Sequence, residues 1–502
     1  MTEDSYVAGV GAGDTAGAPA RLDVFFTSAT VVVFGWLAAV SLAPAPSGIL
    51  AGGGLAALLA LVVAALVLRR GTDLAMLLGT YYLLRFPLIY VWSPATYVGD
   101  VVTVVVLVAL VDGWARGTMR PRWFDWLALG LAAWLMAWSH LRGVPVVPAA
   151  VQLRALFGLY PVYVYFRETG FPEVRGARFA ARTYVAVVAV VLAAQASVEK
   201  ITHKALGAVT MIADQAHSGA VGPNNFPRSY GLTANPNTVG ATAVLLIVLV
   251  VVMVAGGWDR RRARWVLAAL VVVVVLTVSR SAAIALAVVV VAMAVFDGVG
   301  PLRRRAVLEL LGWSALVGAL LAACVVAIAV AIGPPVGVPG GAGNDLDVYR
   351  RFFVGSDDVG LSVQEGRLYT IRTALRIVSK EPLTAVAGQG LGTFGGAGSN
   401  FWRSPLYDRY AIRAGYDADL MYATLLVETG LVGLLGVLLL VVLVARAGPA
   451  PRAVRWAVLA SFVTWGLFYS VFEMHIVYYL VLLELGTGLT ALRAASTAGA
   501  QS

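Results

Sequence analysis

Apolar runs close to the length of a bilayer crossing recur from one end of this chain to the other, and they rule out a soluble fold before any motif is read. A span needs roughly 20 mostly apolar residues. Fourteen candidates begin near Leu22, Gly48, Leu74, Val98, Trp123, Ala149, Phe179, Asn237, Trp265, Ser281, Val307, Leu420, Val454 and Ile476, the weakest being Val98 to Val111. With 60% hydrophobic and 13% charged residues, the expected fold is an all-α polytopic membrane protein. Cys324, the single cysteine, lies inside an apolar run, so no disulfide framework holds the loops and the thiol is expected only to pack.

Two hydrophilic stretches interrupt the spans, residues 197–236 and 333–417. The second is rich in Arg, Asp, Glu, Tyr and Trp and ends in Gly415-Tyr416-Asp417-Ala418-Asp419 at the mouth of a new apolar run. A pure transporter or channel rarely needs such a loop, so chemistry on a lipid-borne substrate is expected there. The organisation is therefore a disordered leader (1–20), eleven spans (21–332), a large loop domain (333–417), three spans (418–493) and a tail (494–502). The leader is polar and small and has no charged region ahead of an apolar one, unlike a signal peptide.

A net charge of +10 suits a nucleic-acid binder, but its distribution argues for a membrane. Basic residues cluster in alternate loops: Arg69 and Arg70; Arg116, Arg120 and Arg122; Arg167, Arg175, Arg178 and Arg182; Arg260 to Arg262 and Arg264; Arg303 to Arg305; Arg446, Arg452 and Arg455. Loops rich in Lys and Arg face the cytoplasm. Both termini are then cytoplasmic, and both long loops face outward.

Arginines outside this pattern need another account. Arg85 and Arg154 each fall roughly 10 Å inside the outer end of a span, where a charge is costly unless paired or hydrated. One reading is a substrate site; the other is an arginine that snorkels outward or pairs with a carboxylate. Arg228, in Arg228-Ser229-Tyr230-Gly231-Leu232-Thr233-Ala234-Asn235-Pro236-Asn237, and Arg280, in Ser279-Arg280-Ser281, close outer turns at the same leaflet. Asn235 before Pro236 suits a helix entry. Arginines gathered at one leaflet match a diphosphate, because guanidinium stays charged and bonds phosphate oxygens in a fork.

These motifs resemble the bacterial O-antigen ligase and polymerase superfamily over about residues 150 to 445. The resemblance rests on the Arg228 to Asn237 segment, the span ending Thr277-Val278-Ser279-Arg280-Ser281, and the late loop. That loop adds Arg367, Glu381-Pro382-Leu383, Gly388 to Phe394, and Asp417 to Gly430. It implies a GT-C-type membrane glycosyltransferase of the bacterial cytoplasmic membrane, acting on its outer face. The donor would be a polyprenyl-diphosphate-linked glycan and the acceptor a glycan or glycolipid, with membrane lipids as surroundings and no metal, cofactor or nucleic acid. The diphosphate-holding role carries over to Arg228 and Arg280, and more loosely to Arg154 and Arg367, with Arg85, Tyr230, Asn235 and Asn237 as further substrate-binding candidates. Lipopolysaccharide ligases place a His followed by Asn before the span after the large loop. Asp419-Leu420 stands here, which looks more like the polymerase branch.

Glycosyl transfer needs a stabilised leaving group and a base for the acceptor hydroxyl. Asp419 or Asp417 fits the base, and either also fits a helix cap; Glu365 and His475 come next. Glu428 is expected to pair with an arginine. The stripe Leu368, Ile371, Leu375 and Val378 predicts a helix over 365–380 lying on the membrane surface. The glycines 388, 390 and 392 resemble a nucleotide loop only superficially, since no strand precedes them. Two other classes remain open: a lipid-linked glycan flippase or exporter, and a non-catalytic envelope-assembly protein.

Overall fold

The computed structural model describes residues 17–43, 47–68, 70–169, 175–202, 206, 231–233, 235–296, 299, 302–332, 360–395, 397–412, 420–448, 450–468, 471 and 474–487. Among them are eighteen α-helices, two 3₁₀ turns and one isolated β-bridge, Val299 to Leu302. The helices are α1 (Gly17–Leu42), α2 (Gly48–Val67), α3 (Gly71–Val91), α4 (Ala95–Ala115), α5 (Trp123–Leu141), α6 (Val146–Phe157), α7 (Tyr160–Thr169), α8 (Arg175–Thr202) and α9 (Pro236–Ala255). They continue with α10 (Arg260–Leu276), α11 (Arg280–Val295), α12 (Arg304–Ile332), α13 (Gly360–Lys380), α14 (Pro382–Ala387), α15 (Pro405–Arg409), α16 (Met421–Ala447), α17 (Arg452–Gly466) and α18 (His475–Thr487).

Nine of these segments among the described residues are long and apolar enough to cross a membrane, with α6 and α7 counted as one. The chain is therefore a multi-pass all-helical membrane protein. The expected count of fourteen exceeds what length and hydropathy support. The five remaining starting points fall on α5, α10, α11, α17 and α18, of 19, 17, 16, 15 and 13 residues. At 1.5 Å per residue a 13-residue helix covers only about 20 Å. The weakest expected run proves to be a helix of 21 residues, α4. Helix α1 begins at Gly17, four residues inside the expected leader, and α8 continues to Thr202, inside the expected outer loop.

Helix α9 is the axis of the packing. Its side chains are buried almost all round, as an evenly apolar helix requires, and α8, α10, α11, α17 and α18 pack against it. Gly240 permits the closest approach, since a Cβ there would meet the Ala282 Cβ at 2.7 Å. Helices α5 and α16 run antiparallel. Arg122 donates to the Ala447 carbonyl at 3.2 Å, and Leu131 and Leu135 lie over Gly436 and Gly433.

Above this pair a small second core forms from Ala374, Ile377, Phe394, Leu406, Tyr407, Tyr410, Ile412 and Leu420 with Ala423 and Val427 of α16. The expected apolar stripe of α13 is thus divided. Thr370, Thr373, Ala374 and Ile377 face the protein, Ile371 and Leu375 are exposed, and the Leu368 side chain lies outside the described ones. Small side chains give α13 its approach to α16; periodicity alone does not tell a protein neighbour from a lipid one.

Candidate functional site

Three polar groupings gather at the helix ends expected to face outward. The first joins α3, α4, α6 and α18. Arg85, buried on α3, donates from Nη1 to His475 Nδ1 at 3.0 Å. A guanidinium only donates, so Nδ1 accepts and the imidazole is neutral with its proton on Nε2. Tyr82 lies nearly parallel to the His475 ring, with centroids 6.5 Å apart. Tyr81 accepts the Gly99 amide at 2.9 Å and donates to the Ala95 carbonyl at 3.0 Å, which pins the start of α4. The next residue, Asp100, holds Arg154 Nη1 at 2.7 Å. Arg154 thus has the carboxylate partner of the structural reading, whereas Arg85 rests on an uncharged ring.

The second grouping surrounds the start of α9. Asn235 caps the helix, accepting from the amides of Asn237 (2.9 Å) and Thr238 (3.3 Å), with Pro236 at its first position. The Ser279 hydroxyl reaches Asn237 Oδ1 at 3.0 Å and so ties the α10–α11 turn to α9. That turn carries Val278 at φ +49°. A β-branched residue rarely occupies this region, and such strain costs on the order of 1 to 3 kcal/mol. Arg280 follows as the exposed first residue of α11. The 3₁₀ turn Gly231–Thr233 packs against α3, α8 and α9, and α9 runs along α18, so the first two groupings are neighbours. On the same end of α8, Gln195, Glu199 and Lys200 are buried, with Gln195 donating to Glu199 at 3.0 Å. The sequence reading began the loop at residue 197 and so set Glu199 and Lys200 outside the span.

The third grouping clasps the 381–401 segment to α5, α6 and α16. Glu381 accepts from Thr384 (3.0 Å), Arg409 (2.9 Å), Tyr410 (3.1 Å) and Gln389, and Arg142 lies 3.5 Å away while bonding Gln389 at 2.7 Å. Partial burial raises the Glu381 pKa, but the bonds from Gln389, Thr384, Tyr410 and Arg409 outweigh it and hold the carboxyl below its ordinary value. Tyr410 is pushed upward by desolvation and by donating to that carboxylate. The glycine-rich stretch beyond is a docking strip. Gln389 and Gly390 donate to the carbonyls of Val427 and Glu428, Leu391 to the Ser139 hydroxyl, and Phe394 to Glu428 Oε1. Glu428, expected to pair with an arginine, accepts a backbone amide at Oε1. Gly398 donates to Gln152 of α6 at 3.1 Å.

Asp417, Asp419, Arg228 and Tyr230 lie outside the described residues, as does the side chain of Arg367. The cap position of α16 belongs to Leu420, which makes no side-chain cap bond. Asp100, Arg142 and Gln389 were also missed; Arg142, a basic residue just past the end of α5 expected to face outward, carried a signal in the charge pattern. No trio of His, Cys, Asp or Glu is placed to share a metal among the described residues.

At this end of the bundle a buried guanidinium, Arg85, thus lies among the buried aromatic side chains Tyr81 and Tyr82. Comparison with models of known protein families gives no match, and comparison with curated proteins gives none either.

Proposed function

We propose that the protein is a metal-independent membrane glycosyltransferase that polymerises or ligates polyprenyl-diphosphate-linked glycans at the outer face of a bacterial cytoplasmic membrane. The observation that carries this reading is Arg85. Its guanidinium is buried and bonded to a neutral imidazole at 3.0 Å, so its charge is not cancelled by that partner and is available to an anion. Its helix, α3, packs against the 231–233 turn of the Arg228 to Asn237 motif, which supports a shared role in holding the donor diphosphate. Arg154 is recast as a positioning residue, because Asp100 takes its charge. Arg228, Arg280 and Arg367 keep the diphosphate role that the resemblance implies. Asp419 or Asp417 serves as base to the acceptor hydroxyl.

The test is glycan transfer by the purified protein in proteoliposomes, with a polyprenyl-diphosphate-linked oligosaccharide as donor and excess chelator present. Arg85→Ala should cost about 2 to 4 kcal/mol of transition-state stabilisation, as losing a charged donor from a water-poor site does. Lysine should restore only part, since it lacks the fork. Asp419→Asn should bind donor without turnover. Undiminished transfer by Arg85→Ala and Arg280→Ala at normal folding would refute the diphosphate role, and loss of activity in chelator would refute metal independence.

A further inference from the structure

From Ala447 to Val427, α16, one of the candidate spans, covers about 30 Å at 1.5 Å per residue, the thickness of a bilayer's hydrocarbon core, and α5 runs antiparallel along it. Arg122 marks one end, where it bonds Ala447, and Arg142 marks the other. The level of Arg142 is therefore a membrane boundary. The segment around α14 is fastened at that level, because Trp138 Nε1 donates to the Gly388 carbonyl at 3.0 Å while Arg142 reaches Gln389 and Glu381. On the free side of α14, Leu383 and Val386, about one turn apart, are 54% and 53% exposed. The preceding α13 exposes Leu375 by 57% and Ile371 by 42%, beside exposed Arg372 and Lys380.

We propose that the α13–α14 elbow is a lipid-docking surface: Leu383 and Val386 enter the acyl boundary while Arg372 and Lys380 bind anionic phospholipid headgroups. Apolar side chains flanked by cations are the pattern of a helix lying in the interface, buried by about 5 to 10 Å, and cationic residues near an anionic leaflet add attraction. The level set by α16, to which Gln389 and Gly390 are bonded, and the cations beside the apolar side chains identify lipid as the occupant. This inference stands whether or not the protein transfers glycans. It refines the surface-lying helix expected from periodicity, since the apolar contact passes to α14 and the α13 stripe is shared with the protein core.

Spin labels on Leu383→Cys and on Val386→Cys, each in a Cys324→Ser background, test it in vesicles of mixed phosphatidylglycerol and phosphatidylcholine. A third label at Asp408→Cys, whose native side chain is 75% exposed, gives the aqueous reference. Labels at 383 and 386 should be open to oxygen and closed to a water-soluble nickel complex, and Arg372→Glu with Lys380→Glu should move both toward water. Nickel accessibility at both sites equal to that at 408 would overturn the docking. Immersion unchanged by the charge reversal, or identical in pure phosphatidylcholine, would overturn the anionic partner.

Discussion

Gly430 is a point of close fit between the 381–401 segment and the membrane helices, and replacing it with alanine should release one from the other. Its backbone, at φ +65° and ψ −172°, breaks α16 in a region that L-residues scarcely enter. A Cβ there would meet the Val386 carbonyl oxygen at 2.4 Å and the Ala387 nitrogen at 2.5 Å, both main-chain atoms that no rotamer change removes. The conformational cost is about 1 to 3 kcal/mol, and relieving the overlap costs about as much again. A local loss of about 3 kcal/mol corresponds to roughly a hundredfold rise in the opening equilibrium. Hydrogen exchange in nanodiscs would read this at Gln389, Gly390, Leu391 and Phe394, whose amides are bonded to α16 and Ser139 at 2.8 to 3.0 Å. Protection should fall by about two decades there and stay unchanged in α9, since opening is local. Gly388→Ala, at φ +80° with its Cβ 2.3 Å from the Glu428 oxygen, should give the same pattern. Native protection of this strip in both variants would refute the account of the glycines as a docking strip.

The Glu381 clasp should be insensitive to pH from neutrality down to the ordinary glutamate value, 4.5, and should loosen only as pH falls further through the lowered native value. Limited proteolysis of the 381–401 segment measures this, Glu381→Gln should loosen it at neutral pH and remove the acid transition, and a clasp that weakens on raising pH from 5 to 7 would contradict the sign. In a Cys324→Ser background, cysteine at Asp408 should react with an impermeant thiol reagent added outside intact cells, while cysteine at Arg305, whose native side chain is 91% exposed, should react only after permeabilisation. The reverse labelling would invert the expected topology and with it the leaflet of the proposed site.

The sequence alone determined the class of the protein, because burial in lipid demands long apolar helices wherever the chain crosses and leaves that demand visible in composition. It also located Asn235 and Pro236 as a helix entry, since capping is settled by adjacent residues. Tertiary structure decided the partners. Arg85 meets His475 across 390 positions, and Arg142 meets Gln389 across 247; no periodicity within a helix encodes which distant helix stands opposite. The glycines 388, 390 and 392 show the same division. Their positive φ values answer to close backbone approach against α5, α6 and α16 rather than to a phosphate. Composition decides that a segment enters the bilayer, whereas the contact between two segments depends on side-chain volumes and backbone angles contributed from both, and these meet only once the chain has folded.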